Sequence, residues 1–173
     1  RSDVDAATVT RQFTQELLRD AFGYVSLAPA NAIHVGDRHY PVSLIAGSIP
    51  VFVAPHTLCL DDPDPCFAIA GSGSRKKSAF QLAQELLNAS PDHLWALVTN
   101  GRQLRLLRDA ATLTRPSFLE IDLQDILAGA RYAEFANTWR LLHASRGGIA
   151  PADTQTNNTA SCIWEAWRET GQQ

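Results

Sequence analysis

The sequence has no methionine and only three cysteines, Cys59, Cys66 and Cys162, among 173 residues. Three scattered thiols are too few for a disulfide framework, which excludes the disulfide-stapled secreted class and fits a reducing cytosol. A whole gene product without methionine is unexpected, so the chain reads as a trimmed segment of something larger. No run of about 18 apolar residues is present, which excludes a transmembrane helix. The start at Arg1 shows no signal-peptide pattern and no apolar h-region. A basic excess is missing too: a formal net charge of −3 and a pI near 5.9 do not describe a stand-alone nucleic-acid binder. These absences leave a cytoplasmic chain, long enough for one ordinary domain with a real core.

What is present is concentrated in residues 78–109. Ser78 with Gln81 three residues on forms a capping box, each side chain satisfying an orphaned backbone donor. Ala79, Leu82, Ala83 and Leu86 recur at helical spacing, with Gln81, Gln84 and Glu85 on the wet side. Pro91 stops the helix, because proline disfavours a helical residue before it. Residues 94–98 are an unbroken apolar run, which suits a strand covered on both faces. Asn100-Gly101 supplies the positive φ angles of a two-residue hairpin turn. Residues 103–107 then return antiparallel, with Leu104 and Leu106 on one face and Arg105 on the other.

Elsewhere, residues 6–22 read as a helix with Val9, Phe13, Leu17 and Ala21 on its apolar stripe, and Gly23 ends it. Residues 24–69 are β-like and broken by prolines, with strands at 32–35, 40–45, 49–53, 57–60 and 66–69. Gly36-Asp37 marks a further hairpin turn, and residues 71–74 are a flexible link. Residues 117–121 form another strand, and Asp122 caps a short helix over 123–127. Residues 132–144 form a helix with Phe135, Trp139 and Leu142 stacked, and Trp95 and Trp139 belong to the core. The expected fold is α/β (α+β), a mixed central sheet flanked by helices. Its α/β domain spans residues 1–145, a linker or flexible loop spans 146–160, and a helical C-terminal extension spans 161–173. That last helix carries Trp164 and Trp167 and is read as continuing into a missing downstream domain.

Several clusters invite chemistry and have plainer readings. Asp61, Asp62 and Asp64 can chelate a divalent cation, though a solvated acidic turn is preferred. Residues 71–78 superficially match a phosphate loop, but Lys76 stands where the required glycine should be, so a Walker motif is rejected. Arg75, Lys76 and Lys77 still sit beside a helix N-terminus, where a DNA phosphate is favoured electrostatically. Arg102, Arg105, Arg108 and Arg115 add a second basic group, with ion pairing to acids such as Asp109 and Glu120 as the alternative. His34 and His39 converge across a turn without a third ligand at zinc spacing, so surface positions are favoured. The cysteines default to buried small hydrophobes, and no catalytic triad is signalled.

The run Trp-Ala-Leu-Val-Thr-Asn-Gly-Arg-Gln-Leu-Arg-Leu-Leu-Arg over 95–108 resembles the N-terminal region of large restriction–modification proteins. In type I restriction subunits and type IIG restriction–methylation enzymes, a nuclease-like fold ends in a helix, an apolar strand and such a hairpin. Residues 108–109, 112–116, 118–120 and 141–146 are similar to segments of phage-defence DNA adenine methyltransferases of BREX and DISARM type. The resemblance covers roughly residues 20–170. It implies a restriction-endonuclease-like fold, double-stranded DNA as partner of the parent protein, defence-system subunits as further partners, and S-adenosylmethionine in a downstream domain.

Carried to single positions, the resemblance fails at the chemistry. The nuclease relatives hold Mg²⁺ on two carboxylates, with a lysine assisting the attacking water. Here the acidic position falls near Val53, the lysine position near Pro55, and residues 40–43 offer no Asp after the proline. The degenerate active site implies a non-catalytic accessory domain making DNA-backbone or subunit contacts. The alternative is an active Mg²⁺-dependent endonuclease using migrated carboxylates, Asp61 or Asp62 with Glu85. A second alternative is a purely structural interaction module.

Overall fold

Alternation along three central strands divides the apolar residues into two cores. Val51 and Val53 pack with Leu97, Leu104 and Leu106 on one face of a sheet, and Phe52, Ala96, Val98 and Leu107 pack on the other. The computed structural model describes residues 2–73, 76–109, 118–148 and 162–171. It is a mixed α/β structure of the α+β kind. Its six-stranded sheet runs in the order β1 (Ala28–Pro29), β4 (Leu44–Ala46), β5 (Ile49–Val53), β6 (Trp95–Thr99), β7 (Gln103–Arg108), β8 (Phe118–Asp122). Only β5 and β6 are parallel, joined by a crossover that contains α2 (Ala79–Ala89). A separate hairpin pairs β2 (Ala32–Val35) with β3 (Arg38–Pro41).

One face is covered by α1 (Ser2–Glu16) and its π-helical continuation Leu17–Ala21, by α4 (Tyr132–Leu142) and by α5 (Ile163–Gly171). The other face takes α2 and the β2–β3 hairpin, through Leu82, Leu86 and Tyr40. The capping box of α2 is fully formed: Ser78 Oγ accepts from Gln81 N–H at 3.1 Å, and Gln81 Oε1 accepts from Ser78 N–H at 3.0 Å. Asp122 caps α3 (Leu123–Ala128) by accepting from Asp125 N–H at 2.9 Å. Both strands of the β6–β7 pair are buried on both faces along most of their length, as the apolar run implies.

The first helix differs from expectation in its buried face. Ala6, Thr10, Thr14 and Leu18 point inward, while Val9 and Phe13 are exposed. Thr10 and Thr14 enter the core at little cost because their hydroxyls donate to Ala6 O and Thr10 O, both at 2.8 Å. Val9 and Phe13 lie before the π turn, whereas Leu17 and Ala21 within it are half-buried against the core.

The expected strands over 57–60 and 66–69 are absent from the described structure. Asp62 Oδ2 accepts from Cys59 N–H, Asp64 Oδ1 accepts from Cys66 N–H, and Pro65–Phe67 form a 3₁₀ turn. These aspartates hold turns where apolar content suggested extension. Cys59 and Cys66 are exposed, and only Cys162 is buried. The expected strand over 40–45 breaks between β3 and β4, where the chain leaves the hairpin for the main sheet.

The hairpin corner is shifted by one residue. Thr99 pairs with Leu104, so Gly101 and Arg102 form the corner, and only Gly101 has positive φ, at 81°. Asn100 instead closes the turn with its side chain, accepting from Arg102 N–H and Gln103 N–H. A Cβ on Gly101 would also stand 3.3 Å from Thr10 Cγ2. Gly101→Ala is therefore expected to cost about 1–2 kcal/mol, read as a lower urea midpoint at unchanged slope.

The boundary drawn at residue 146 also moves. Ala144 and Gly147 are buried, Ala144 N–H donates to Phe22 O, and Gly147 lies under Trp164. Trp164 is 1% exposed, so α5 is part of the core layer. Trp139, expected inside, is 38% exposed; its indole N–H donates to Ala21 O at 2.7 Å and its ring packs on His143 at 4.6 Å. The region 149–161, most of the expected linker, lies outside the described residues.

Candidate functional site

Val53, Pro55 and residues 41–43, singled out in the sequence, come together in space. Val53 and Pro55, at and just beyond the end of β5, line a cleft of about 550 Å³ with Pro41, Val42 and Ser43 from the β3–β4 junction. One wall is the flank of α1 at Arg11, and the 3₁₀ turn contributes Asp64 and Cys66. Ser43 Oγ accepts from Val53 N–H at 3.1 Å, a bond that ties the β3–β4 junction to the end of β5.

The cleft carries a single carboxylate, Asp64, and that group is engaged. The Cys66 thiol and then the Cys66 N–H hold its carboxyl below the usual range. Desolvation of the sulfur, and then the neighbouring Asp64, push the Cys66 thiol up to about 12. A thiol so raised is protonated at neutral pH and is not a nucleophile. A two-carboxylate cation site cannot be assembled from this lining.

Each migrated acid has a partner. Asp61 accepts a bidentate pair of bonds from Arg105, Nη1 and Nη2, both at 2.8 Å, and Arg105 Nε donates to Glu120 at 2.6 Å. The guanidinium sits against both members of the Phe80–Phe118 edge-to-face pair, 4.8 and 4.7 Å from their centroids, which are themselves 4.9 Å apart. Asp62 caps its turn at Cys59 N–H, and Glu85 pairs with Lys77 at 2.5 Å. Among the described residues, no three His, Cys, Asp or Glu side chains are grouped for a metal ion.

Among the described residues, two of the arginines read as DNA contacts lie on opposite faces of the sheet. Arg105 serves the α2 face, while Arg108 reaches the opposite face and donates to Glu165 at 2.8 and 3.3 Å. Glu165 also accepts from Trp95 Nε1 at 2.6 Å and from Arg168 at 3.2 Å. Burial pushes the Glu165 carboxyl up, but the bonds from Arg108 and Trp95 and the charges of Arg108 and Arg168 outweigh it, leaving it below the usual range. Lys76 is exposed. Arg75 and Arg115 lie outside the described residues. Glu165 has no local signal as a hub, since its partners Arg108 and Trp95 lie 57 and 70 residues away.

Arg102 stands apart at the hairpin corner. Its Nη2 is 3.5 Å from Leu58 O, and its buried Nε has no hydrogen-bond partner. With Val9, Phe13 and His56 it borders a shallow depression of about 350 Å³. Thr10 gives its one hydroxyl proton to Ala6 O, so the 3.2 Å contact from His56 requires the proton on Nδ1. Neither Thr10 nor His56 is marked by any motif.

Five ionisable groups with shifted affinities for protons set a two-stage acid response. Burial, opposed by the Asp92 charge, depresses His93 below its ordinary 6.5, and burial followed by the Arg146 charge depresses His143. The unfolded chain therefore takes up protons first, and stability falls as pH drops from about 6.5 through the two folded values. Asp61, Asp64 and Glu165 are also depressed, so their contribution is present above the unfolded carboxylate range near 4 and lost below it. Melting temperature against pH is expected to descend in these two stages, the upper one shallower in His93→Gln. A flat profile between pH 7 and pH 5 contradicts the histidine part.

No protein-family model, curated protein or solved structure matches this chain.

Proposed function

We propose that this chain is a non-catalytic accessory domain with a restriction-endonuclease-like scaffold, the N-terminal part of a DNA adenine methyltransferase of a restriction–modification or phage-defence system. The observation that carries this reading is the cleft at the end of β5. Val53 and Pro55, which the sequence resemblance aligns with a metal-binding carboxylate and a lysine, line it beside a single carboxylate, Asp64. In this reading S-adenosylmethionine belongs to the downstream domain, the parent protein acts in the cytoplasm, and double-stranded DNA is met through that parent.

The engaged arginines favour protein contacts over DNA contacts for this domain. Arg105 and Arg108 are each committed to internal carboxylates, and the net charge is −3. The alternative of an active Mg²⁺ endonuclease requires Asp61, Asp62 or Glu85 to give up the bonds described above.

Fluorescence anisotropy with a labelled duplex tests the preference. Binding weaker than about 0.1 mM at physiological salt is expected, at or below the weak end of non-specific association. Micromolar binding that weakens steeply with added salt would restore a DNA-contacting role.

A further inference from the structure

The β2–β3 hairpin holds two histidines in a register that suits metal chelation. Its two-residue turn, Gly36-Asp37, is closed by Val35 opposite Arg38. In such a turn the closing pair exchanges backbone hydrogen bonds, so the next pair, His34 opposite His39, is non-hydrogen-bonded. Two further observations fix that phase. His39 N–H and C=O turn outward to Ala70, at 3.1 and 3.2 Å. Pro41, which has no N–H, falls at the next non-hydrogen-bonded pair, opposite Ala32.

Non-hydrogen-bonded pairs bring side chains closest, with Cα atoms about 4.5 Å apart. The two imidazoles are in contact, with centroids 4.1 Å apart and planes at 63°. Both histidines are exposed, whereas Ile33, Val35 and Tyr40 on the opposite face pack toward the α2 core. The same-face neighbours are small or uncharged: Ala32 and Pro41 along the ladder and Ala70 across from His39. Two ring nitrogens that share one ion at about 2.0–2.1 Å must lie roughly 3 Å apart, which adjacent rings on such a pair can reach by χ rotation.

We propose that His34 and His39 form a two-imidazole chelate for a late first-row divalent ion, with water completing its shell. Imidazole pairs select Ni²⁺, Cu²⁺ and Zn²⁺ over the oxygen-seeking Mg²⁺ and Ca²⁺. The site is on the α2 side of the molecule and is separate from the cleft at the end of β5.

Calorimetric titration of the full chain with Ni²⁺ tests this. One 1:1 event is expected, weakened at least about tenfold in either His34→Gln or His39→Gln, because the second bond of a chelate is intramolecular. The event is expected to vanish in the double variant. Independent imidazoles would instead lose one site per substitution with no change in the affinity of the other, and that result overturns the chelate. So does wild-type binding by the double variant, or no binding by the unsubstituted chain. As a readout free of substitution, substoichiometric Ni²⁺ is expected to broaden the ring signals of His34 and His39 together. Broadening of another histidine first contradicts the proposal.

Discussion

Trp164→Ala is expected to destabilise the protein by about 3–5 kcal/mol, the usual cost of emptying a buried tryptophan site. The indole is 1% exposed, lies 5.3 Å from the ring of Trp95, and donates to Leu141 O at 2.7 Å. Removing it opens a cavity between α4, α5 and the sheet and leaves that carbonyl without its donor. Gly147 is part of the same fit, since a Cβ there would stand 2.6 Å from the Trp164 ring. Trp167, 46% exposed on the same helix, serves as the control, and Trp167→Ala is expected to cost under about 0.5 kcal/mol. Chemical denaturation at constant slope separates the two. A Trp164→Ala cost below about 1 kcal/mol would mean that α5 is not part of the core.

Arg105→Ala is expected to cost about 2–4 kcal/mol, and most of that cost is packing. The side chain is 9% exposed, but Asp61 and Glu120 are 64% and 36% exposed, so water takes over much of their solvation once the arginine is gone. What water cannot replace is the contact of the guanidinium with the paired Phe80 and Phe118 rings. Arg105→Met, which keeps volume and loses charge, is expected to recover at least about 1 kcal/mol of the alanine loss, as hydrophobic replacement of buried ion pairs often does. Asp61→Asn is expected to cost under about 1 kcal/mol. Equal losses in Arg105→Met and Arg105→Ala would assign the stability to the ion pairs instead.

The parts of this fold that are legible in the sequence are those specified locally. The capping box, the two-face burial of β6 and the alternation of Leu104, Arg105 and Leu106 each depend on residues within a few positions of one another. The face of α1 is not legible, because buried threonines satisfied by their own helix look polar in a pattern of apolar residues. Trp139, expected inside, is 38% exposed, and Trp164 on the terminal helix is enclosed, because either can sit on an apolar stripe and only tertiary packing selects between them.

The candidate site divides in the same way. Val53 and Pro55 can be placed by the order of strands, and they do line one cleft. The fate of the arginines cannot be read in advance. Arg105 meets Asp61 44 residues earlier, and Arg108 meets Glu165 57 residues later, so their neutralisation depends on elements that meet only in the folded chain.

The most direct test of the central claim is incubation of supercoiled plasmid with the purified chain and millimolar Mg²⁺ or Mn²⁺. With Val53 and Pro55 where the proposed scaffold would need a carboxylate and a lysine, the plasmid is expected to stay supercoiled at every metal concentration. Metal-dependent nicking or linearisation that disappears in Asp61→Asn or Glu85→Gln would contradict the account and assign catalysis to those acids.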